Sequence, residues 1–258
     1  MRAKVAVLTL ALSALSLPSC SAPSARVHAG YMQPDLSGNL SLAPSSMPGG
    51  GGVTASVDVE NSLGLVDPST SFHGRAELDA GPIRVSASGF RYSQSGNGRL
   101  TASFGDLTAG ADVATNLDLT NLKAAVTFDL IDTGVFRLSP GIGVDVFLLD
   151  GRITESVTSS FEDVDDMLPV PMLFAQAEVD LGPVSGVIDA GFLDYETDEV
   201  GGRFLDIEAF VAFSPASHIE LLAGYRYIDI DAFGESEGQD LTANLTLQGW
   251  FIGGGISF

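Results

Sequence analysis

The chain has 258 residues, with 12 Lys and Arg against 33 Asp and Glu, so its formal net charge is −21. This excess of acid repels phosphate backbones and argues against nucleic-acid binding. The single cysteine cannot form an internal disulfide or a cysteine-rich metal site, and no cofactor motif is present in the sequence. We therefore expect neither a cofactor nor a metal site. The 45% content of hydrophobic residues still indicates an ordered chain.

Residues 1–20 predict a secretory signal peptide. Arg2 and Lys4 supply the positive charge, and residues 5–17 form an apolar run that is too short to cross a membrane as a helix. Residues 17–20, Leu-Pro-Ser-Cys, are similar to a bacterial lipobox, which makes Cys20 a candidate lipidation site and the protein a candidate lipoprotein.

The cleavage site of this signal peptide is left open by the sequence. Val27-His28-Ala29 is a small-x-small pattern, so cleavage as late as residue 29 is the alternative to cleavage before Cys20. We expect residues 21–34 to form an N-terminal tether and residues 35–258 to form one folded domain.

The main signal after the tether is alternation with a period of two, which predicts antiparallel strands. The first expected strand covers residues 36–43. In residues 135–148, apolar side chains occupy every even position from Phe136 to Leu148, while Arg, Ser, Gly and Asp occupy the odd positions up to Asp145. Similar runs lie at 121–130, 184–192 and 205–213. Each apolar face has about five alternate residues, which fits the roughly 9–11 residues with which a strand crosses a bilayer.

Short and long connections alternate between these runs. Tight turns are expected at 79–82, 131–134, 181–183 and 214–217, and longer polar stretches lie near 44–70, 94–115, 156–168, 195–202 and 233–240. The expected fold is therefore all-β: a single antiparallel transmembrane β-barrel of about ten strands, with short periplasmic turns and longer external loops. Eight or twelve strands are alternatives, since residues 53–59 also alternate and fit either a strand or the first loop.

Alternation does not show which face of the barrel is outside, because a soluble barrel turns its apolar face inward. Polar faces rich in Gly, Ser, Ala and Asp, aromatic residues near strand ends, and the signal peptide favour an apolar exterior in the bacterial outer membrane. The alternative is a lipid-anchored or secreted soluble β-barrel that binds an apolar ligand.

The carboxy-terminal strand carries the most specific motif. Trp250, Ile252, Ile256 and Phe258 share one face, and this strand resembles the insertion signal of outer-membrane barrel proteins, which implies the barrel-assembly machinery as a partner. Residues 224–227, Gly-Tyr-Arg-Tyr, resemble a segment of small outer-membrane barrels of the broad OmpA/OmpW-like class. The resemblance implies fold and location, and it implies no catalytic residues.

An apolar exterior would place many charged side chains in the lumen. Five bases and ten acids are expected there: Arg75, Arg84, Lys123, Arg137 and Arg226, with Glu77, Asp79, Asp129, Asp145, Glu178, Asp180, Asp189, Asp206, Glu208 and Glu220. Because single buried charges are costly, we expect a salt-bridge network that fills the barrel. The expected role is structural, or that of a narrow, porin-like pore that prefers cations because acids are in excess.

The external loops are acidic as well, for example at residues 155–166, 196–199 and 235–240. Hard divalent cations prefer oxygen ligands, so these loops could share Ca²⁺ or Mg²⁺ with lipopolysaccharide. Outer-membrane lipid and lipopolysaccharide are the expected partners.

The sequence offers little for catalysis, and we expect no enzyme. Omptin proteases, which a ten-stranded barrel resembles in strand number, need acids and a histidine together at the outer rim. His28 falls in the expected tether and His218 in an expected short turn, which leaves His73 at the outer end of its strand. An outer-rim hydrolase that uses His73 is thus a remote alternative.

Overall fold

The structure is a computed structural model that describes residues 23–44, 56–66, 69–105, 107–157, 160–197, 200–236 and 239–258. The expected signal peptide and Cys20 lie outside the described residues. Within the described part of the chain every regular element is a β-strand, as the alternation predicts. No helix among the described residues is long and apolar enough to cross a membrane.

Ten long strands and two short ones make up the fold. The long strands are β1 (Ser24–Pro44), β3 (Ser71–Ala80), β4 (Ile83–Arg99), β5 (Asp112–Phe128), β7 (Phe136–Glu155), β8 (Phe161–Asp180), β9 (Val184–Glu196), β10 (Gly201–Ala216), β11 (Ile219–Ser236) and β12 (Gln239–Ser257). The short strands are β2 (Val57–Asp58) and β6 (Ile131–Asp132).

The long strands close into a barrel. Each pairs antiparallel with the long strand before and after it, and β1 pairs with β12 from Arg26↔Ser257 to Pro44↔Gln239. Closure of this kind leaves no free sheet edge between first and last strands. The prediction of a single antiparallel barrel of about ten strands is confirmed.

The first strand begins earlier than the sequence predicts. β1 starts at Ser24 rather than at residue 36, and residues 24–32 pair with β3 while residues 26–44 pair with β12. The expectation of a tether over residues 21–34 is therefore wrong from Ser24 onward. Arg26 and His28 fall within the expected tether. In the structure they face the lumen, in alternation with the exposed Val27 and Tyr31.

The connections confirm the alternation of turn lengths. Tight turns join β3 to β4, β8 to β9 and β10 to β11, and β5 is joined to β7 through the two residues of β6. Gly81 and Gly182 have positive φ angles, a backbone conformation that glycine adopts without strain. The start of β1 and the end of β12 lie at this short-turn end, where Phe258 and Ala25 exchange backbone hydrogen bonds of 2.9 and 3.2 Å.

The side-chain pattern of the strands inverts between the two ends of the barrel. Near the short turns the exterior is apolar and the lumen polar: on β5, Val126 is exposed whereas Lys123 is buried. Nearer the long loops the exterior is polar and the lumen apolar: on β4, Arg91 is exposed whereas Phe90 and Tyr92 are buried. The barrel therefore consists of a part suited to lipid outside and an extension suited to water outside.

The lumen of the extension is filled by an apolar cluster. Residues 56–66, which belong to the first long loop, contribute Val57, Val59, Leu63 and Leu65, each at most 3% exposed. β3 pairs with β1 only as far as Met32. Beyond that point this segment lies beside β1 in place of β3, since Val57 pairs with Leu40. In the described part of the run 53–59, which begins at residue 56, only Val57 and Asp58 form a strand. The cluster occupies the barrel interior toward the long loops.

Candidate functional site

Side chains from opposite walls meet at the middle of the lumen. Arg75 on β3 donates hydrogen bonds to Asp189 on β9 (2.6 Å) and Glu208 on β10 (3.2 Å). In the circular order of strands, β3 lies across the barrel from β9 and β10. The guanidinium group of Arg75 thus bridges the lumen, and all three side chains are almost completely buried.

Lys123 and Arg226 add two more bridges at the same level. The Lys123 ammonium group lies 2.9 Å from Asp206 and 3.0 Å from Glu208, which connects β5 with β10. Arg226 on β11 lies 2.9 Å from Asp206 and 3.3 Å from Asp145 on β7. Every one of these side chains is at most 3% exposed, so each charge depends on its neighbours for compensation.

A second layer of charges lies nearer the short turns. Arg26 on β1 reaches across the lumen to Glu178 on β8 at 3.1 Å, and Arg84 on β4 lies 2.9 Å from another oxygen of Glu178. Glu77 connects the two layers, because it accepts a hydrogen bond from Arg75 at 3.2 Å and lies 3.4 Å from Arg26 and 3.5 Å from Arg84. The polar lumen is therefore one connected network across both layers.

The charges become more accessible at the short-turn end. Arg137 has 29% of its side chain exposed and lies 3.7 Å from both Asp129 and Glu178. The assignment of Asp180 to the lumen is wrong: it is exposed and accepts the backbone N–H of Gly182, so it serves the β8–β9 turn. A side chain at the end of a strand is free to follow the turn rather than the alternation.

Two histidines lie in the lumen, in contrast to the expectations from sequence. The His28 Nε2 atom lies 2.6 Å from Glu220, which is a buried contact between β1 and β11. His73 is 2% exposed, stacks on Phe251 with a 4.4 Å centroid distance, and lies 3.8 Å from Glu208. The placement of His73 at the outer rim is therefore wrong, because β3 starts at Ser71, below the rim.

The network includes neutral and aromatic side chains that the sequence analysis missed. Asn121 donates a hydrogen bond to Asp145, and Gln176 donates one to Asp189 at 2.9 Å. Arg75 lies 4.7 Å from the ring centroid of Phe210, in a cation–π arrangement. The alternation contains the signal for these residues, since they occupy the lumen parity of their strands, but a search for charges alone passes over them.

The predicted insertion-signal residues share one outward face of β12. Trp250, Ile252, Ile256 and Phe258 are between 47% and 72% exposed, and Tyr225 on β11 packs edge-on against Trp250 at 4.7 Å. This face continues the apolar exterior of the barrel near the short turns. It is suited to contact with lipid.

The exterior of the extension carries isolated ion pairs. Arg152 donates two hydrogen bonds to Asp163, and Arg91 donates one to Asp118 at 2.7 Å. The hydrogen bond from Arg152 lowers the pKa of Asp163 below its ordinary value. Both pairs are exposed to water, so each stabilises the fold only slightly.

These features define the class of the protein. A closed antiparallel barrel of ten long strands, an apolar exterior near the short turns and a polar lumen are the properties of a small bacterial outer-membrane barrel protein. The outer membrane is accordingly its location. A soluble barrel that binds an apolar ligand would need an apolar lumen. At the level of Lys123 and Arg226 the described lumen is charged instead.

Comparison with solved structures finds the same barrel fold in the outer-membrane protease OmpT of Escherichia coli. That structure superposes with a TM-score of 0.58 at 7% identity, over 91% of this chain and 96% of that chain. Ail, the attachment invasion locus protein of Yersinia pestis, has a TM-score of 0.37 at 10% identity, over 92% of this chain and 99% of that chain. Neisserial surface protein A has a TM-score of 0.36 at 13% identity, over 92% and 100%.

Comparison of sequences adds no relative. No protein-family model matches the chain, and no curated protein matches it. The likeness to OmpT is a likeness of fold, and it assigns no activity to this chain.

Proposed function

We propose that the protein is a non-enzymatic outer-membrane barrel with a structural role and a lumen closed to ions. The observation that carries this proposal is the set of charge contacts across the lumen. Arg75, Lys123 and Arg226 each bind carboxylates on distant strands and are at most 3% exposed. A permeating ion would have to break several of these contacts at once, at a cost of several kcal/mol for each charge left unpaired.

The two ends of the barrel support the same proposal. The apolar cluster around Val57 and Leu65 occupies the lumen of the extension, where a hydrated ion would meet mainly apolar side chains. Among the described residues, no histidine lies at the outer rim beside an acid, which supports a role without catalysis.

Planar-bilayer recording tests the closed lumen directly. We expect the folded wild-type protein to show no conductance steps in KCl. The double variant Arg75→Ala/Lys123→Ala removes two bridges and leaves Asp189 and Glu208 without these cations. Combined with deletion of residues 56–66, which contribute to the apolar cluster, it should pass a current that prefers cations. The same deletion combined with Arg91→Ala, on the exterior, is the matched control and should stay silent.

A narrow pore that prefers cations is the second candidate. It is favoured by the excess of carboxylates over Lys and Arg among the described lumen side chains. Conductance of the wild-type protein with a cation preference would replace the closed barrel by this candidate. Heat-modifiable migration on gels establishes in each case that the recorded variant is folded, since closed barrels resist detergent until heated.

We further propose two kinds of partner. The apolar face of β12 is suited to recognition by the barrel-assembly machinery and afterwards to lipid. The acidic exterior of the extension, with Asp150 and Asp165, is suited to lipopolysaccharide through shared Ca²⁺ or Mg²⁺. Chelation of divalent cations should then weaken co-purification of lipopolysaccharide with the protein; unchanged co-purification would contradict this second partner.

A further inference from the structure

The barrel wall is incomplete between β8 and β9. These strands pair only from Leu173↔Phe192 to Asp180↔Ser185. β8 nevertheless continues to Phe161 and stays paired with β7, while β9 continues to Glu196 and stays paired with β10. In the described part of both strands, the seam therefore opens above Leu173 and Phe192.

Two prolines explain why the pairing stops there. The bond from Glu155 N–H to Ser160 C=O shows that even-numbered residues of β8 direct their backbone groups to β7, and the bond from Leu181 N–H to Val184 C=O shows that odd-numbered residues direct theirs to β9. Pro169 and Pro171 occupy odd positions. Neither has an N–H to donate, so the ladder cannot continue across them.

The register shows what a closed seam would require. Extending the pairs beyond Leu173↔Phe192 would set Pro171 opposite Asp194 and Pro169 opposite Glu196. Prolines at both positions leave the β8 side of the gap without unpaired backbone donors at these positions, whereas Asp194 and Glu196 keep theirs on the β9 side. A gap in contact with hydrocarbon is tolerated only when unpaired backbone donors are few.

The edge of β8 at this gap is apolar on both faces. Residues 167–173 read Met-Leu-Pro-Val-Pro-Met-Leu. On the outward face, Leu173 is 71% exposed. Leu168 has the parity of the lumen face, yet 50% of it is exposed. Val170 and Met172 on the lumen face are buried, and Met172 packs over Gly191 of β9. The β8 side of the gap is therefore apolar and has one apolar side chain that lacks cover, whereas the β9 side carries the exposed Asp194 and Glu196.

We propose that the gap between β8 and β9 is a lateral opening that binds the acyl chain of an outer-membrane lipid. Its lower end, Leu173 and Phe192, belongs to the exposed apolar exterior, so the opening is continuous with the surface that contacts lipid. A peptide strand added to the edge of β8 is a poorer occupant because that edge offers no donor at Pro169 or Pro171. An acyl chain needs no donor and covers Leu168.

Fluorescence quenching by lipids with brominated acyl chains tests this opening. The reporter is Leu168→Trp in a Trp250→Phe background, using the full chain reconstituted in vesicles. We expect strong quenching of the fluorescence of this reporter, comparable with that of native Trp250 on the lipid-facing exterior. Leu149→Trp, in the same background, faces the lumen on β7 but is paired on both sides, so it should be quenched several-fold less.

A closing variant and a second quencher decide between occupants. Pro169→Val/Pro171→Val restores both donors and should reduce the quenching of the Leu168→Trp reporter as the seam closes. Quenching of that reporter no stronger than that of Leu149→Trp would overturn the proposal. Strong quenching by aqueous iodide together with none by brominated lipid would also overturn it, because the gap would then open to water.

The distance across the seam gives an independent test if the tryptophan variant does not fold. In a Cys20→Ser chain, Pro171→Cys and Asp194→Cys lie at the positions that a closed seam would set opposite each other. We expect no spontaneous disulfide between them and efficient bridging by a longer bifunctional maleimide. Rapid, complete disulfide formation would mean that the seam is closed, since cross-strand cysteines bond only at Cα separations of about 4.4–6.8 Å.

Discussion

Arg226 is a fully buried cation whose removal should destabilise the fold. It is 0% exposed, donates hydrogen bonds of 3.1 and 2.9 Å to Asp206, and contacts Asp145 at 3.3 Å. Removing one partner of a buried ion pair costs about 3–5 kcal/mol, because the remaining charge stays buried. Lys123 still compensates Asp206 at 2.9 Å, which leaves Asp145 as the main uncompensated carboxylate. We therefore expect Arg226→Met to lower the free energy of unfolding by about 3 kcal/mol, the lower end of that range.

Urea unfolding of the protein in vesicles, followed by the heat-modifiable band, measures this change. Arg152→Met is the matched control: it also breaks an Arg–Asp pair, but that pair is exposed to water and its loss should change the free energy of unfolding only slightly. Adding Asp145→Asn to Arg226→Met should restore part of the loss, because it neutralises the stranded carboxylate. Equal effects of Arg226→Met and Arg152→Met would refute the reasoning that the lumen network is desolvated.

Three further predictions concern other parts of the chain. In NMR titration, Arg152→Gln should raise the pKa of Asp163 toward its ordinary value; since the folded pKa is lowered, the pair stabilises the fold at neutral pH and this contribution is lost as the pH falls through that pKa. Mass spectrometry of the mature protein should find an amino terminus before Arg26, because cleavage after residue 29 would remove part of β1; a terminus at residue 30 would contradict the position of this strand. Deleting Phe258 should lower the yield of heat-modifiable protein in the outer membrane several-fold, and an unchanged yield would show that this residue is not part of the insertion signal.

The fold could be predicted from the sequence because a barrel wall separates two environments. Each strand then alternates between side chains suited to one environment and side chains suited to the other. The same rule explains the errors. The alternation predicts a first strand from residue 36 because Arg26 and His28 look like a polar tether, whereas the barrel offers both of them carboxylate partners on other strands.

The sequence predicts which residues belong to the lumen network far better than it predicts which of them pair. The parity of Lys123 or Asp206 follows from neighbouring residues along one strand. Their contact at 2.9 Å depends on the closure of the whole barrel, which brings β5 opposite β10. The position predicted for His73 is wrong for the same reason: only the pairing of β3 with β1 shows that β3 ends well below the rim.

The proposed closed lumen and the proposed lateral opening are compatible because they lie at different levels of the barrel. The ion pairs of Arg75 and Lys123 cross the axis among strands that are paired on both sides at that level, including the β8–β9 segment near Asp189. The gap begins beyond Leu173, where the lumen side chains of β8 change from Gln176 to the apolar Met172 and Val170. A chain that entered through the gap would thus meet apolar side chains and stop at the network. The two proposals together predict access from the side and no passage along the axis. In the same preparation, the protein should show no conductance steps, whereas brominated lipid should quench the Leu168→Trp reporter strongly.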